Sequence, residues 1–130
     1  MKIVADTSFL MVPGFFNIDV SEELGRVVEE KFELIVPSCV VEELKRISES
    51  GSPRERAAAR IGLKLVSRAE VLNVRGNADD AILDIAAKNG WAVATNDGEL
   101  KRKLREKGVT VIFLRGMSRL AVSRGSGAGK

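Results

Sequence analysis

The sequence predicts an α/β fold, a three-layer α/β/α sandwich built on a five-stranded parallel sheet. Two observations predict it. Five short β-type runs alternate with helical stretches, which is the signature of parallel strands joined by crossover helices on both faces of a sheet. The chain is also the size and composition of one ordinary domain, with 130 residues, 45% hydrophobic and 30% charged, enough to close one core and too short for two.

Each element follows from local chemistry. KIVA (2–5) is the first strand. Ser21 is expected to cap a helix whose apolar positions Leu24, Val27 and Val28 lead toward the second strand, FELIV (32–36). Ser38 is expected to cap the next helix. Ser52-Pro53-Arg54-Glu55 then has the form of a capping box with proline at the first helical position. EVLNV (70–74) is the third strand, and Asn77 caps the helix after it. Gly90 and Gly108 end the last two helices, just before the strands WAVAT (91–95) and VTVIFL (109–114). Trp91 is expected in the core. The domain is expected to span 1–122, with SRGSGAGK (123–130) as a disordered basic tail. No phosphate loop is expected in that tail, because Arg124 stands where its first glycine is needed.

Composition narrows the chemistry. The single cysteine, Cys39, cannot form an internal disulfide, and with no histidine there is neither a zinc cluster nor a histidine base. No run approaches a membrane helix, and Asp6 interrupts the apolar start, so a cytoplasmic protein without a membrane partner is expected. Charge is unevenly spread. Residues 1–43 carry nine acids and three bases, and residues 44–130 carry nine acids and eighteen bases. Clustered Lys and Arg of this kind suit a polyanion.

Ligands in a parallel α/β sheet gather outside the carboxyl ends of the strands. Asp6 follows the first strand directly, Asp97 follows the fourth after Asn96, and Asp79 opens the helix after the third. Helical geometry separates two pairs of neighbouring acids. At roughly 100° per residue, Val40, Val41, Leu44 and Ile47 centre a buried face that Glu43 borders and Glu42 opposes. By the same count, Asp79 borders the face made by Ala78, Ala81, Ile82, Ile85 and Ala86. Asp80 opposes that face and falls at N3, where its carboxylate can reach back to the Asn77 amide. Singly, each acid is a helix-end charge or a surface ion pair. Together, two carboxylates 4 Å apart repel by about 4 kcal/mol at an effective dielectric near 20, so four at one edge call for a cation. Oxygen donors alone suit Mg²⁺ or Mn²⁺.

The runs VADTSFL, PSCVVEEL, NADDAI and ATNDGELKRKL, in this order and strand context, resemble the PIN-domain nucleases over residues 2–115. The resemblance implies strand order 3-2-1-4-5 and a divalent-metal site that cleaves RNA, with Asp6, Glu43, Asp79 and Asp97 as its acids. It also implies that Ser8 steadies Asp6, that Glu99 occupies a variably acidic position, and that a homodimer is a common assembly. The paired Asp79-Asp80 and the run after Thr95 look more like ribosomal-RNA-processing PIN proteins and their archaeal counterparts than like VapC-type toxins. Lys101, Arg102, Lys103 and Arg105, or Arg54, Arg56 and Arg60 on another helix, could track a single-stranded backbone. Three rival readings make different demands on these positions. A phosphotransfer receiver needs an acid pair at the first strand, and a dehalogenase-type phosphatase needs an acid where Ser8 stands. An RNA-binding assembly factor with little turnover keeps the same charges and is separated only by assay.

Overall fold

A computed structural model describes residues 1–125. Its sheet has six strands: β1 (Lys2–Ala5), β2 (Glu33–Pro37), β3 (Glu70–Leu72), β4 (Ala92–Ala94), β5 (Val111–Arg115) and β6 (Arg119–Ser123), in the order β3-β2-β1-β4-β5-β6. The first five are parallel in the expected 3-2-1-4-5 order, with Ile3 opposite Leu34, Val4 opposite Val93 and Ala94 opposite Ile112. β1 is central, and Ile3, Val4 and Ala5 are fully buried. A strand covered on both faces must be apolar throughout, and KIVA satisfies this within four residues.

Seven helices connect the strands: α1 (Thr7–Leu10), α2 (Val12–Phe15), α3 (Val20–Val28), α4 (Ser38–Ser50), α5 (Pro53–Val66), α6 (Ala78–Asn89) and α7 (Gly98–Glu106). The Ser52 capping box is complete, with both reciprocal bonds made and Pro53 at the first turn. Gly90 ends α6 at φ 69°, and Gly108 follows α7 at φ 72°. Trp91 packs partly against the core beneath the Lys2 ammonium, 5.0 Å from the ring centre. Gly14 on α2 meets Ala58 on α5 so closely that a Cβ there would lie 2.3 Å from the Ala58 Cα. No described helix is long and apolar enough to cross a membrane.

Several local expectations are corrected. α3 is capped by Asp19, which accepts from the Glu22 N–H, so Ser21 lies inside the helix. Ser38 does not cap α4. Its hydroxyl donates to the Val74 carbonyl at 3.1 Å and accepts the Val74 N–H at 3.0 Å, tying the start of α4 to the loop before α6. Asn77 caps α6 by accepting the Asp80 N–H, yet the Asp80 carboxylate makes no return bond; an aspartate is one methylene shorter than the glutamate of a full box. The antiparallel β6 was not anticipated. It pairs with β5 through Ser123, one residue beyond the expected boundary, and residues 126–130 of the expected tail lie outside the described part. On its outer side, Glu23 accepts the Leu120 N–H while Arg26 donates to the Leu120 carbonyl, both at 2.9 Å.

Candidate active site

Asp6 leaves β1 where the central strand ends, and its own N–H donates to the Ala94 carbonyl of β4. Its side chain caps α1 by accepting the Phe9 N–H at 2.9 Å on Oδ1, which also accepts the Ser8 hydroxyl at 2.8 Å. The Thr95 hydroxyl donates to Oδ2. Three donors favour the charged carboxylate, but Asp6 is only 6% exposed. Burial wins: desolvation, with the Asp79 charge adding a little, pushes its pKa up to about 6 against the hydrogen bonds from Thr95, Phe9 and Ser8.

Asp97 occupies the corresponding place after β4 and caps α7. It accepts the Glu99 N–H at 2.9 Å and the Leu100 N–H at 3.1 Å, both on Oδ1. Thr95 sits between these two acids. It is fully buried, gives its hydroxyl to Asp6 and accepts the Asp97 N–H at 3.0 Å. Ser8 completes the lattice by accepting the Asn96 N–H at 2.9 Å. Glu43, on α4, accepts the Thr7 hydroxyl and lies 3.8 Å from Arg46. Asp79, in the first turn of α6, has its pKa raised by burial and then by the charge of Asp97, with smaller pushes from Asp80 and Glu43; Lys103 acts the other way.

Asp6, Glu43, Asp79 and Asp97 line one open cleft of about 360 Å³ together with Thr7, Ser8, Val40 and Ala78. Glu42 is exposed and not part of it. Asp80 faces a different hollow beside Leu83, Asp84 and Lys107. Glu99 is exposed and pairs with Lys103 at 3.5 Å. Among the described residues no three acidic, His or Cys side chains stand close enough to enclose an ion unaided. The donors are nevertheless all oxygen, and the charges around Asp79 are predominantly negative. Such a set fits a hard divalent ion that retains several waters and takes one or a few carboxylates.

The expected basic residues divide. Lys103 is the one felt by Asp79. Lys101 and Arg105 lie over the Phe113 ring, at 4.2 and 5.6 Å, and Arg102 pairs with Glu106. Arg54 packs over Phe15 and donates to its carbonyl, whereas Arg56 is half-buried and Arg60 is exposed on the same helix. Sequence reasoning missed Thr7 and Thr95. A signal for Thr95 existed, because a hydroxyl closing the apolar run WAVAT must find a partner once buried.

Fold and cleft define an α/β domain with a carboxylate site at the carboxyl edge of its parallel sheet. The chain belongs to the PIN-like domain family, whose model matches residues 3–117. It is 36% identical over 118 residues to Ribonuclease VapC4 of Methanocaldococcus jannaschii, covering 88% of this chain and 90% of that protein. It is 33% identical over 119 residues to Ribonuclease VapC9 of Archaeoglobus fulgidus, covering 92% and 87%. Among solved structures, the PIN domain endonuclease Utp24 superposes with a TM-score of 0.77 at 27% identity, covering 95% of this chain and 91% of that one.

Proposed function

We propose that the chain is a divalent-metal-dependent endoribonuclease that hydrolyses RNA phosphodiesters, using Mg²⁺ or Mn²⁺. The observation that carries this reading is the meeting of Asp6, Glu43, Asp79 and Asp97 on one cleft in a family whose relatives are named ribonucleases and an endonuclease. Those four carboxylates would hold the ion, directly or through water. When bound, it supplies Lewis acidity toward water and toward the phosphate oxygens.

The chain's own residues do the rest. Ser8, Thr95 and the Phe9 N–H hold Asp6 in a single orientation. The Asp97 Oδ1 is committed to the α7 cap, which fixes this carboxylate where it lines the cleft. Thr7 sets the Glu43 carboxylate, and Lys103 offsets part of the charge around Asp79. Val40 and Ala78 give the cleft apolar wall. The hydroxyls that line it, Thr7 and Ser8, are committed to Glu43 and Asp6, so neither would serve as a nucleophile.

The paired acids of α6 and the run after Thr95 support a role in ribosomal-RNA processing. The identities of 36% and 33% to ribonucleases named VapC favour a second reading, a toxin-type ribonuclease. Incubating wild type and Asp6→Asn with a mixed RNA pool in Mg²⁺ or Mn²⁺ tests the activity. Cleavage by wild type alone is expected. RNA binding without cleavage under any of these conditions would replace the enzyme with an assembly factor. Mapping the cuts separates the two roles: cuts confined to ribosomal precursors support processing, and cuts in mature RNA with growth arrest on expression support the toxin.

A further inference from the structure

Beyond the cleft, the β5–β6 hairpin carries an arrangement that the fold does not require. Arg115 and Arg119 are paired directly opposite one another where the hairpin closes at its turn, and like charges so placed weaken a hairpin. Both are exposed, and neither has a carboxylate partner among the described residues. Glu23 is close enough to feel Arg119, yet Arg26 already holds it through two hydrogen bonds. Gly116 turns the chain at φ 65°, and Met117 at the tip is 73% exposed.

Strand alternation extends the charge. Alternate residues share a face, so Arg115 and Arg119 project on the same side as Phe113 and Ser123. That side is covered by α7, because Lys101 and Arg105 lie over Phe113 and Arg105 also donates to the Ser123 hydroxyl at 3.1 Å. The acids of α7 are occupied, Glu99 by Lys103 and Glu106 by Arg102. By strand alternation Lys101, Arg105, Arg115 and Arg119 share one side of the hairpin as a track of four cations without ion-pair partners among the described residues, and Arg115 and Arg119 also line a hollow with Arg26 and Glu29.

Position connects this track to the cleft. β5 runs parallel to β4, so Arg115, at the end of β5, emerges at the same sheet edge as Asp97, which follows β4. The Leu114 N–H donates to Asn96 Oδ1 at 2.8 Å, bonding the hairpin to the residue just before Asp97.

We propose that the β5–β6 hairpin is a second phosphate-binding station, at which Arg115 and Arg119 clamp the backbone of the RNA strand as it leaves the cleft, with Lys101 and Arg105 continuing the track. Guanidinium groups match phosphate oxygens in a fixed fork, and the bound anion relieves the repulsion between the two arginines. Met117 offers its thioether to a neighbouring base. This inference rests on the ribonuclease reading above.

The test uses the full chain carrying Asp6→Asn to prevent turnover, with and without Arg115→Ala/Arg119→Ala. The probes are fluorescein-labelled oligouridylates of about 4 and about 12 nucleotides, within the range of single-strand sites. Affinity for the long probe should fall on the order of ten-fold, and its log–log salt slope should drop by about 1.4, near 0.7 for each lost phosphate. Affinity for the short probe should stay within about two-fold, since it spans the cleft alone. Arg115→Lys/Arg119→Lys should restore the slope, and the alanine variant should melt no lower than its parent because a repulsive pair is gone. Equal slopes with and without the arginines overturn the proposal while leaving the ribonuclease reading intact. A parent that binds neither probe overturns both. An oligoglutamate peptide that needs the two arginines, while RNA slopes do not change, assigns the hairpin to an acidic protein partner and also overturns it.

Discussion

Asp6 and Asp97 hold equivalent stations in adjacent parallel strands. Each follows its strand, turns the chain toward a helix and caps that helix. Their surroundings differ. Asp6 ends the central strand, with three donors around it and almost no solvent. Asp97 is exposed and gives a single oxygen to two backbone amides. The same backbone device thus produces one carboxylate sealed from water and one open to it. Distance from the strand decides which: Asp6 directly follows Ala5, whereas Asp97 stands three residues past Ala94, beyond the buried Thr95, although β1 and β4 are both flanked by neighbours and buried.

The largest expected effect addresses whether both stations serve one reaction. Asp6→Asn, Asp79→Asn and Asp97→Asn should each lower RNA cleavage by on the order of 10²–10³, the scale of losing a preorganised charge at a reacting centre. All three should remain folded by circular dichroism. Near-normal turnover in Asp97→Asn would mean that Asp97 is a cap and Asp6 works without it.

The next effect separates the stations by pH. Because the folded pKa of Asp6 stands at about 6, above its ordinary 3.8, the native state binds the proton more tightly than the unfolded chain. Stability in EDTA should therefore fall as pH rises through about 4 to 6, by about 3 kcal/mol from this group. The raised pKa of Asp79 acts in the same direction. Urea melts across this window should show the decline in wild type and a flatter profile in Asp6→Asn. A wild-type profile that rises instead would show that the hydrogen bonds outweigh burial.

A smaller effect concerns how Glu43 is held. Thr7→Val removes the hydroxyl that Glu43 accepts, and Mn²⁺ affinity by calorimetry should weaken by roughly ten-fold, as for other groups that orient ligands. Thr7→Ser should restore it. The smallest effect tests the acid neighbouring Asp79. Asp80→Ala should cost about 0.3–1 kcal/mol through the α6 dipole and leave cleavage near the wild-type rate; strong loss of cleavage would make Asp80 the ligand.

Much of this was legible from residues near one another in sequence. Ser52 to Glu55 specify their capping box within four positions, and the acids of the cleft follow from strand ends plus helical arithmetic, which distinguished Glu43 from Glu42 and Asp79 from Asp80. What escaped depends on distant partners. β6 buries a single residue deeply, Leu120, and its outer side is completed by Glu23 and Arg26, far away along the chain. Ser38 is a plausible cap until Val74 arrives to take its hydroxyl. Asp19 and Ser21 compete within three positions, and only the Glu22 amide decides between them.

The contact of α3 with β6 has a consequence for crowded solutions. An open strand offers its outward amides and carbonyls to any extended chain that drifts past, the first step of edge-to-edge aggregation. At Leu120 both groups are already taken. The Arg26 guanidinium, with help from the Leu120 N–H, keeps the Glu23 carboxyl down at about 2, so the acidic half of this guard stays ionised even in mild acid. The sheet is thereby denied a template for foreign strands at that point, and the guard comes from two side chains one helical turn apart.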